Sequence, residues 1–241
     1  MWKSIIAGAA LAVANCHAQT SVQLKVVKNS PFSAQAVTES TQTLADGNRI
    51  VHQSTAFIAR DSDGRTRREQ SLSAGNGPVV FIQDPVTGAA YVLDPQSHFA
   101  RKIVMPMRET DRPPGAVKGL AAMVGTAGPN GGNIKSDDLG IQFIQGFMLQ
   151  GSRLTRSLPA SQKTGNERPL EIVSEAWYSD ELQTLVMSKS FDPRVGETTY
   201  KLTDIQRGEP SRALFEVPVD YSIRDEPASL DSRSVEKSKN K

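Results

Sequence analysis

The chain has 241 residues, with 28 Lys and Arg against 26 Asp and Glu, so its formal net charge is +2 at neutral pH. That balance excludes a strongly basic nucleic-acid binder. A hydrophobic content of 38% excludes a protein with many membrane spans. We therefore expect no nucleic-acid partner and no membrane span. The chain is long enough to build one β domain with a hydrophobic core.

The first eighteen residues are predicted to be a secretory signal peptide. Lys3 supplies the positive start, and residues 5–14 (IIAGAALAVA) form an uncharged apolar run of about ten residues, too short to span a bilayer core of roughly 30 Å. Small residues at Cys16 and Ala18 suit cleavage before Gln19. The mature protein is therefore expected to be periplasmic or secreted.

An alternative interpretation of the N-terminus is that Cys16 is lipidated. Residues 13–16 (VANC) resemble a bacterial lipobox, although Asn15 stands where that motif has Gly, Ala or Ser. A lipidated Cys16 would make a lipid-anchored envelope protein. If cleavage follows Ala18 instead, the mature chain has no cysteine, which excludes disulfides, a thiol nucleophile and a cysteine-ligated metal.

Runs of alternating or β-rich residues, separated by Gly, Asp and Pro turns such as Asp46-Gly47, predict strands along most of the chain. In order, the predicted strands are 22–27, 33–44, 49–59, 65–72, 79–84, 90–94, 100–104, 139–149, 151–158, 170–178, 184–190, 197–207 and 213–223. The predicted fold is mainly β: a single curved antiparallel sheet, a half-barrel, of roughly ten strands with little helix.

Composition divides the mature chain into three parts. Residues 19–223 are predicted to form one β-rich domain. Within it, residues 106–137 are dense in Gly, Pro, Ala and Asn and are expected to be a flexible loop. Residues 224–241 are charged, rich in Ser and poor in large apolar residues, which is typical of a disordered tail.

Three segments of the second half carry a family resemblance: 175–182 (EAWYSDEL), 191–205 (FDPRVGETTYKLTDI) and 214–221 (LFEVPVDY). They are similar to uncharacterised exported proteins of acidobacteria-type bacteria. More distantly, they resemble the lipoprotein-carrier superfamily, the half-barrel fold of the outer-membrane lipoprotein carrier and its receptor. The resemblance implies a concave sheet face that holds a lipid. The helices that plug that face in the family have a counterpart here only in residues 116–124 (AVKGLAAMV).

The sequence has no recognisable catalytic centre. The histidines left after signal cleavage, His52 and His98, lie on separate predicted strands, and no third metal ligand is placed beside them. There is no Gly-x-Ser-x-Gly motif, and acid pairs such as Asp180-Glu181 fall at turns, where solvated acids are ordinary. We therefore expect a protein that is not an enzyme, with no cofactor, no metal and no catalytic residue.

Five residues are candidates for ligand binding. Trp177 and Tyr178 would line a ligand cavity, or else anchor the core. Arg65, Arg67 and Arg68 would attract an anion or a phospholipid head group, or else protect a charged outer strand from edge pairing.

Two function classes remain open. In the first, an exported envelope protein binds a lipid, an acyl chain or a lipoprotein in the concave sheet face. In the second, an envelope sensor or scaffold domain acts through a protein partner, as an exposed sheet edge would favour.

Overall fold

The computed structural model describes residues 26–71, 77–104, 133–160 and 165–226. These residues form twelve strands and one short 3₁₀ helix, Arg212–Phe215. The strands are β1 (Phe32–Thr43), β2 (Arg49–Arg60), β3 (Thr66–Ser71), β4 (Pro78–Asp84), β5 (Ala89–Asp94), β6 (Phe99–Val104), β7 (Asn133–Ile144), β8 (Phe147–Leu158), β9 (Leu170–Ser179), β10 (Thr184–Asp192), β11 (Gly196–Arg207) and β12 (Ser222–Glu226).

All twelve strands belong to one open, curved sheet in the order β12-β6-β5-β4-β3-β2-β1-β11-β10-β9-β8-β7. Every neighbouring pair is antiparallel except β12 and β6, which run parallel. The prediction of a mainly β chain with a single curved antiparallel sheet is confirmed. At the middle of the sheet, β1 of the β1–β2 hairpin pairs with β11 of the β10–β11 hairpin. Residues far apart in the sequence therefore meet there.

The predicted strand 139–149 is instead two strands joined by a tight hairpin. Gln145 and Gly146 both have positive φ, 53° and 83°, which a two-residue hairpin turn of type I′ requires. The chain reverses there, so Ile144 pairs with Phe147. The strand prediction was wrong at this point because Gln-Gly is a weaker hairpin signal than Asn-Gly or Asp-Gly.

The predicted strand 213–223 was also wrong. The 3₁₀ helix occupies its start, the Tyr221 amide donates to the Pro218 carbonyl at 3.1 Å, and pairing begins only at Ser222. Pro218 has no amide hydrogen to donate, which makes it a poor member of a sheet ladder. The alternating apolar residues instead pack onto the sheet, as Val217 does.

The structure changes two of the predicted boundaries. β7 already begins at Asn133, so residues 133–137 of the predicted loop are strand, because they pair with β8. β12 includes residues 224–226 of the predicted tail. The signal peptide, Cys16, residues 105–132 and residues 227–241 lie outside the described residues.

The core has two clusters. One comprises Phe32, Ala34, Ala36, Ala56, Phe147, Leu149, Trp177, Leu182, Val186 and Leu202. The other comprises Val80, Ile82, Leu93 and Ala100, with Tyr91, Val217 and Tyr221 packed against it. The segment after β11 therefore covers one face of β4, β5 and β6.

Within the described ranges, no helix is long and apolar enough to cross a membrane.

Candidate functional site

Three large apolar side chains are exposed on the hairpin formed by β7 and β8. Ile141 is 66% exposed, Phe143 is 72% exposed and Met148 is 60% exposed. Phe143 lies directly opposite Met148, and Ile141 lies opposite Gln150. Residues that face each other across an antiparallel pair share one face of the sheet, so the three side chains form a continuous apolar strip.

The backbone of the same residues lies along an open sheet edge. β7 is the last strand of the sheet and pairs only with β8 among the described residues. Next to a two-residue turn, Ile144 and Phe147 form a hydrogen-bonded pair, and hydrogen bonding then alternates along the ladder. The amide and carbonyl groups of Ile141 and Phe143 therefore point away from β8, towards the edge.

The other half of β7 is protected against pairing. Lys135 and Asp137 form an ion pair at 3.0 Å. The register shifts between Asp138 and Gly140, where the Asp138 carboxylate accepts a hydrogen bond from the Gly140 amide at 2.8 Å. Charges and bulges are the usual protection of an edge strand. The unprotected part of the edge is thus residues 141–144.

A groove of about 230 Å³ adjoins the apolar strip. Its lining comprises Ile141, Phe143, Gly146, Met148, Gln150, Asp180 and Glu181. Glu181 accepts a hydrogen bond from Arg207 at 2.6 Å, and Arg207 also donates to the Gly146 carbonyl at 2.7 Å. Asp180 is exposed and forms no ion pair with any described residue. Among the described residues, the groove therefore combines an apolar wall with the carboxylate of Asp180, which has no ion-pair partner there.

Trp177 and Tyr178 lie on opposite faces of β9. The Trp177 ring packs in the core above Gly151, and only 7% of Trp177 is exposed. Tyr178 pairs with Gln150, which places it beside the groove, half-buried. Burial and the nearby Asp180 raise the pKa of Tyr178, and Arg60 opposes that shift. Of the two, Tyr178 alone neighbours the candidate surface, and a ligand-binding role for either stays a prediction.

The three arginines do not share one site: Arg65 and Arg67 both contact the segment after β11, whereas Arg68 does not. Arg65 pairs with Asp61 at 2.5 Å and lies over the Phe215 ring at 5.9 Å. Arg67 pairs with Glu69 at 2.8 Å and donates to the Leu214 carbonyl at 3.1 Å.

Arg68 points to the opposite face of β3 from Arg67 and donates to Gln70 at 2.6 Å. In this arrangement, Arg65 and Arg67 hold the segment after β11 against the sheet. Whether any of the three binds an anion stays a prediction.

Comparisons with known proteins support no assignment of family. No family profile and no curated protein matches the chain. Among solved structures, an uncharacterized conserved protein from Thermus thermophilus is similar, with a TM-score of 0.44 and 11% identity over 82% of this chain and 91% of that one.

Two further solved structures are similar. In the MucA/MucB complex of Pseudomonas aeruginosa, the TM-score is 0.44 with 15% identity, and the match covers 80% of this chain and 58% of that one. A LolA superfamily protein from Nitrosomonas europaea gives 0.31 with 10% identity over 77% and 90% of the two chains. Since all these TM-scores lie below 0.5, the likenesses carry no argument about function.

Sequence reasoning did not find the hairpin surface. Ile141 and Phe143 alternate in the sequence, but a continuous strand over 139–149 would place Met148 on the opposite face from them. Recognising Gln145-Gly146 as a turn would have placed Met148 opposite Phe143. The sequence therefore contained a signal for the turn, but it contained none for the exposure of the apolar strip.

Proposed function

We propose that this chain is a non-enzymatic, exported protein of the bacterial envelope that acts by binding an extended segment of a partner protein along β7. One observation carries the proposal: Ile141 and Phe143 present both exposed apolar side chains and outward-pointing backbone groups. In strand addition, main-chain hydrogen bonds supply affinity and alternate side chains supply specificity. This edge offers both over the same residues.

The exposure of the strip supports an interaction role. Singly exposed apolar residues are common on protein surfaces, whereas contiguous ones beside an unprotected edge are a hazard that proteins ordinarily avoid. The rest of β7 carries that protection in the Lys135–Asp137 pair and the bulge at Gly140. The absence of such protection at residues 141–144 is explained if a partner covers these residues.

Carriage of a lipid, acyl chain or lipoprotein in the concave sheet face stays a prediction. Burial stabilises an acyl chain by about 0.8 kcal/mol per CH₂, so a carrier needs a long apolar enclosure. The groove beside the hairpin is about 230 Å³ and is lined partly by Asp180 and Glu181. Typical small-molecule pockets measure roughly 300–1,000 Å³. This groove therefore suits a side chain of a protein partner better than an acyl chain.

Photo-crosslinking tests the proposal. The full chain, exported in its own host, carries benzoylphenylalanine in place of Phe143 or, as the control, in place of Val195. Val195 lies in the turn between β10 and β11 and is 62% exposed, which makes it as accessible as Phe143 but remote from the edge. We expect a discrete protein adduct at position 143 and none at position 195. Lipid adducts alone, or equal labelling at both positions, would contradict the proposal.

A further inference from the structure

We infer that the partner segment is an extended peptide with apolar residues at alternate positions and an arginine or lysine that meets Asp180. This inference rests on the proposed function and specifies the chemistry of the partner. It follows from three features of the hairpin surface: the outward backbone groups, the apolar strip and the charge of the groove.

The backbone determines where such a segment lies. A strand that pairs with β7 at Ile141 and Phe143 runs about 4.8 Å from it and places every second side chain on the face that carries the strip. Side chains directly opposite Ile141 and Phe143 are then in contact with them. The bulge at Gly140 ends the regular edge, so only a short stretch of the partner pairs.

The charge of the groove selects a basic residue. Glu181 already forms an ion pair with Arg207, with 2.6 Å between Arg207 Nε and Glu181 Oε1, whereas Asp180 has no ion-pair partner among the described residues. A long basic side chain lays its alkyl stem over apolar surface while its charged end reaches a carboxylate. The strip and Asp180 line the same groove, with the strip as the wall that such a stem would cover.

A second copy of this chain is a weaker candidate for the occupant. Two-fold pairing of β7 with itself would bring Phe143 against Ile141 of the copy. Three exposed side chains, however, fall far short of the roughly 800 Å² that each partner buries in a standard interface.

Fluorescent peptides provide the test, with binding to the mature chain followed by polarisation. The first probe is a capped eight-residue peptide that alternates threonine with isoleucine or phenylalanine and contains one arginine. The second probe has glutamate in place of the arginine. The third keeps the arginine but is N-methylated at alternate amides, so that it cannot donate hydrogen bonds to an edge.

We expect the arginine peptide to bind about tenfold more tightly than either of the other two. Asp180→Asn should remove the discrimination between arginine and glutamate, and Phe143→Thr should weaken all binding while preserving the strand. Glu171→Gln is the matched control, because Glu171 is exposed, lies on β9 and forms no ion pair with described residues. That control should leave both affinities unchanged.

The outcomes separate the two proposals. Equal affinity for the arginine and glutamate peptides would overturn the inferred basic residue, and equal affinity for the N-methylated peptide would overturn strand addition. In the first case, a protein adduct at position 143 would leave the proposed function standing. In the second, such an adduct would support a protein partner at the apolar strip but not the pairing of an extended segment with β7. Absence of that adduct would overturn the proposed function itself. A concentration-dependent dimer that Phe143→Thr abolishes would assign the edge to a second copy and overturn the inference.

Discussion

Gly151 lies directly beneath the ring of Trp177. The two residues face each other across β8 and β9, and a Cβ atom at Gly151 would come within 2.6 Å of the Trp177 Cζ3 atom. Real Cβ atoms do not approach another atom so closely. The absence of a side chain at Gly151 is therefore what allows the indole to lie flat in the core.

Gly151→Ala should destabilise the protein by about 1–3 kcal/mol, because the added methyl group overpacks the site below the ring. Chemical denaturation followed by far-UV circular dichroism measures the loss, because this signal does not depend on Trp177. In a Trp177→Leu background, the same substitution should cost less than about 0.5 kcal/mol, since the clash is gone. A full penalty in both backgrounds would show that the strain lies in the backbone and not in the ring contact.

Arg60 is buried, and its hydrogen bonds to described residues go to backbone carbonyls. Its guanidinium donates to the Ser30 carbonyl at 2.8 and 3.0 Å and to the Leu182 carbonyl, and it lies 4.9 Å from the centre of the Phe32 ring. Burial lowers the pKa of Arg60. The side chain joins the start of β1 to the turn between β9 and β10.

Arg60→Met should therefore reduce the free energy of unfolding by about 3 kcal/mol, because it leaves buried carbonyls without donors. The exposed Arg49 on the same strand provides the control, and Arg49→Met should change stability by less than about 0.5 kcal/mol. Urea denaturation of both variants makes the comparison. Equal stability of the two would contradict a structural role for the Arg60 hydrogen bonds.

Arg67 should hold the segment after β11 on the sheet. Its side chain donates to the Leu214 carbonyl at 3.1 Å and pairs with Glu69 at 2.8 Å. Arg67→Met removes both contacts, so amide hydrogen exchange in residues 212–221 should become about tenfold faster. Arg68→Met, on the opposite face of β3, should leave that exchange unchanged. Equal acceleration in the two variants would contradict the role of the Leu214 contact.

Asp192 should contribute stability that depends on pH. Hydrogen bonds from the Arg194 side chain, at 2.6 and 2.9 Å, lower its pKa below the ordinary value of 3.8. A lowered pKa in the folded state stabilises the protein above pH 3.8, and the contribution is lost as the pH falls through the folded-state pKa.

Asp192→Asn should consequently be less stable than the wild type at pH 7, with a difference that closes below pH 3.8. Denaturation midpoints across that range measure the closure. Arg194→Met removes the cation instead of the carboxylate and should show the same pH dependence. A difference that persists at the lowest pH would assign the effect to the shape of the turn.

Much of the β structure could be predicted because its turns are local. Asp84 accepts hydrogen bonds from the amides of Val86 and Thr87, and Asp94 accepts one from Gln96. Such short-range bonds form wherever an acid precedes a reversal, whatever the rest of the chain does. The strands between these turns were therefore predicted to within a few residues, whereas Gln145-Gly146 lacks such an acid and was missed.

The candidate surface was less predictable. Alternation shows that Ile141 and Phe143 share a face, but it does not show whether another part of the protein covers that face. Nor does alternation show that β7 is the last strand. Exposure and edge position depend on the strand order of the whole sheet, which places β7 twelfth although it is seventh in the chain.

The sequence by itself determined the class of the protein: period-two apolar patterns separated by Asp and Gly turns specify an antiparallel β chain. Only the tertiary structure decided that β1 pairs with β11, with Phe32 opposite Arg207. It also decided that Val217 and Tyr221 pack against β4, β5 and β6, and that β7 is left at an edge. The physical reason is the sequence separation of the residues that interact. A turn forms from its own residues, whereas pairing between distant strands is selected by which apolar faces can be buried together.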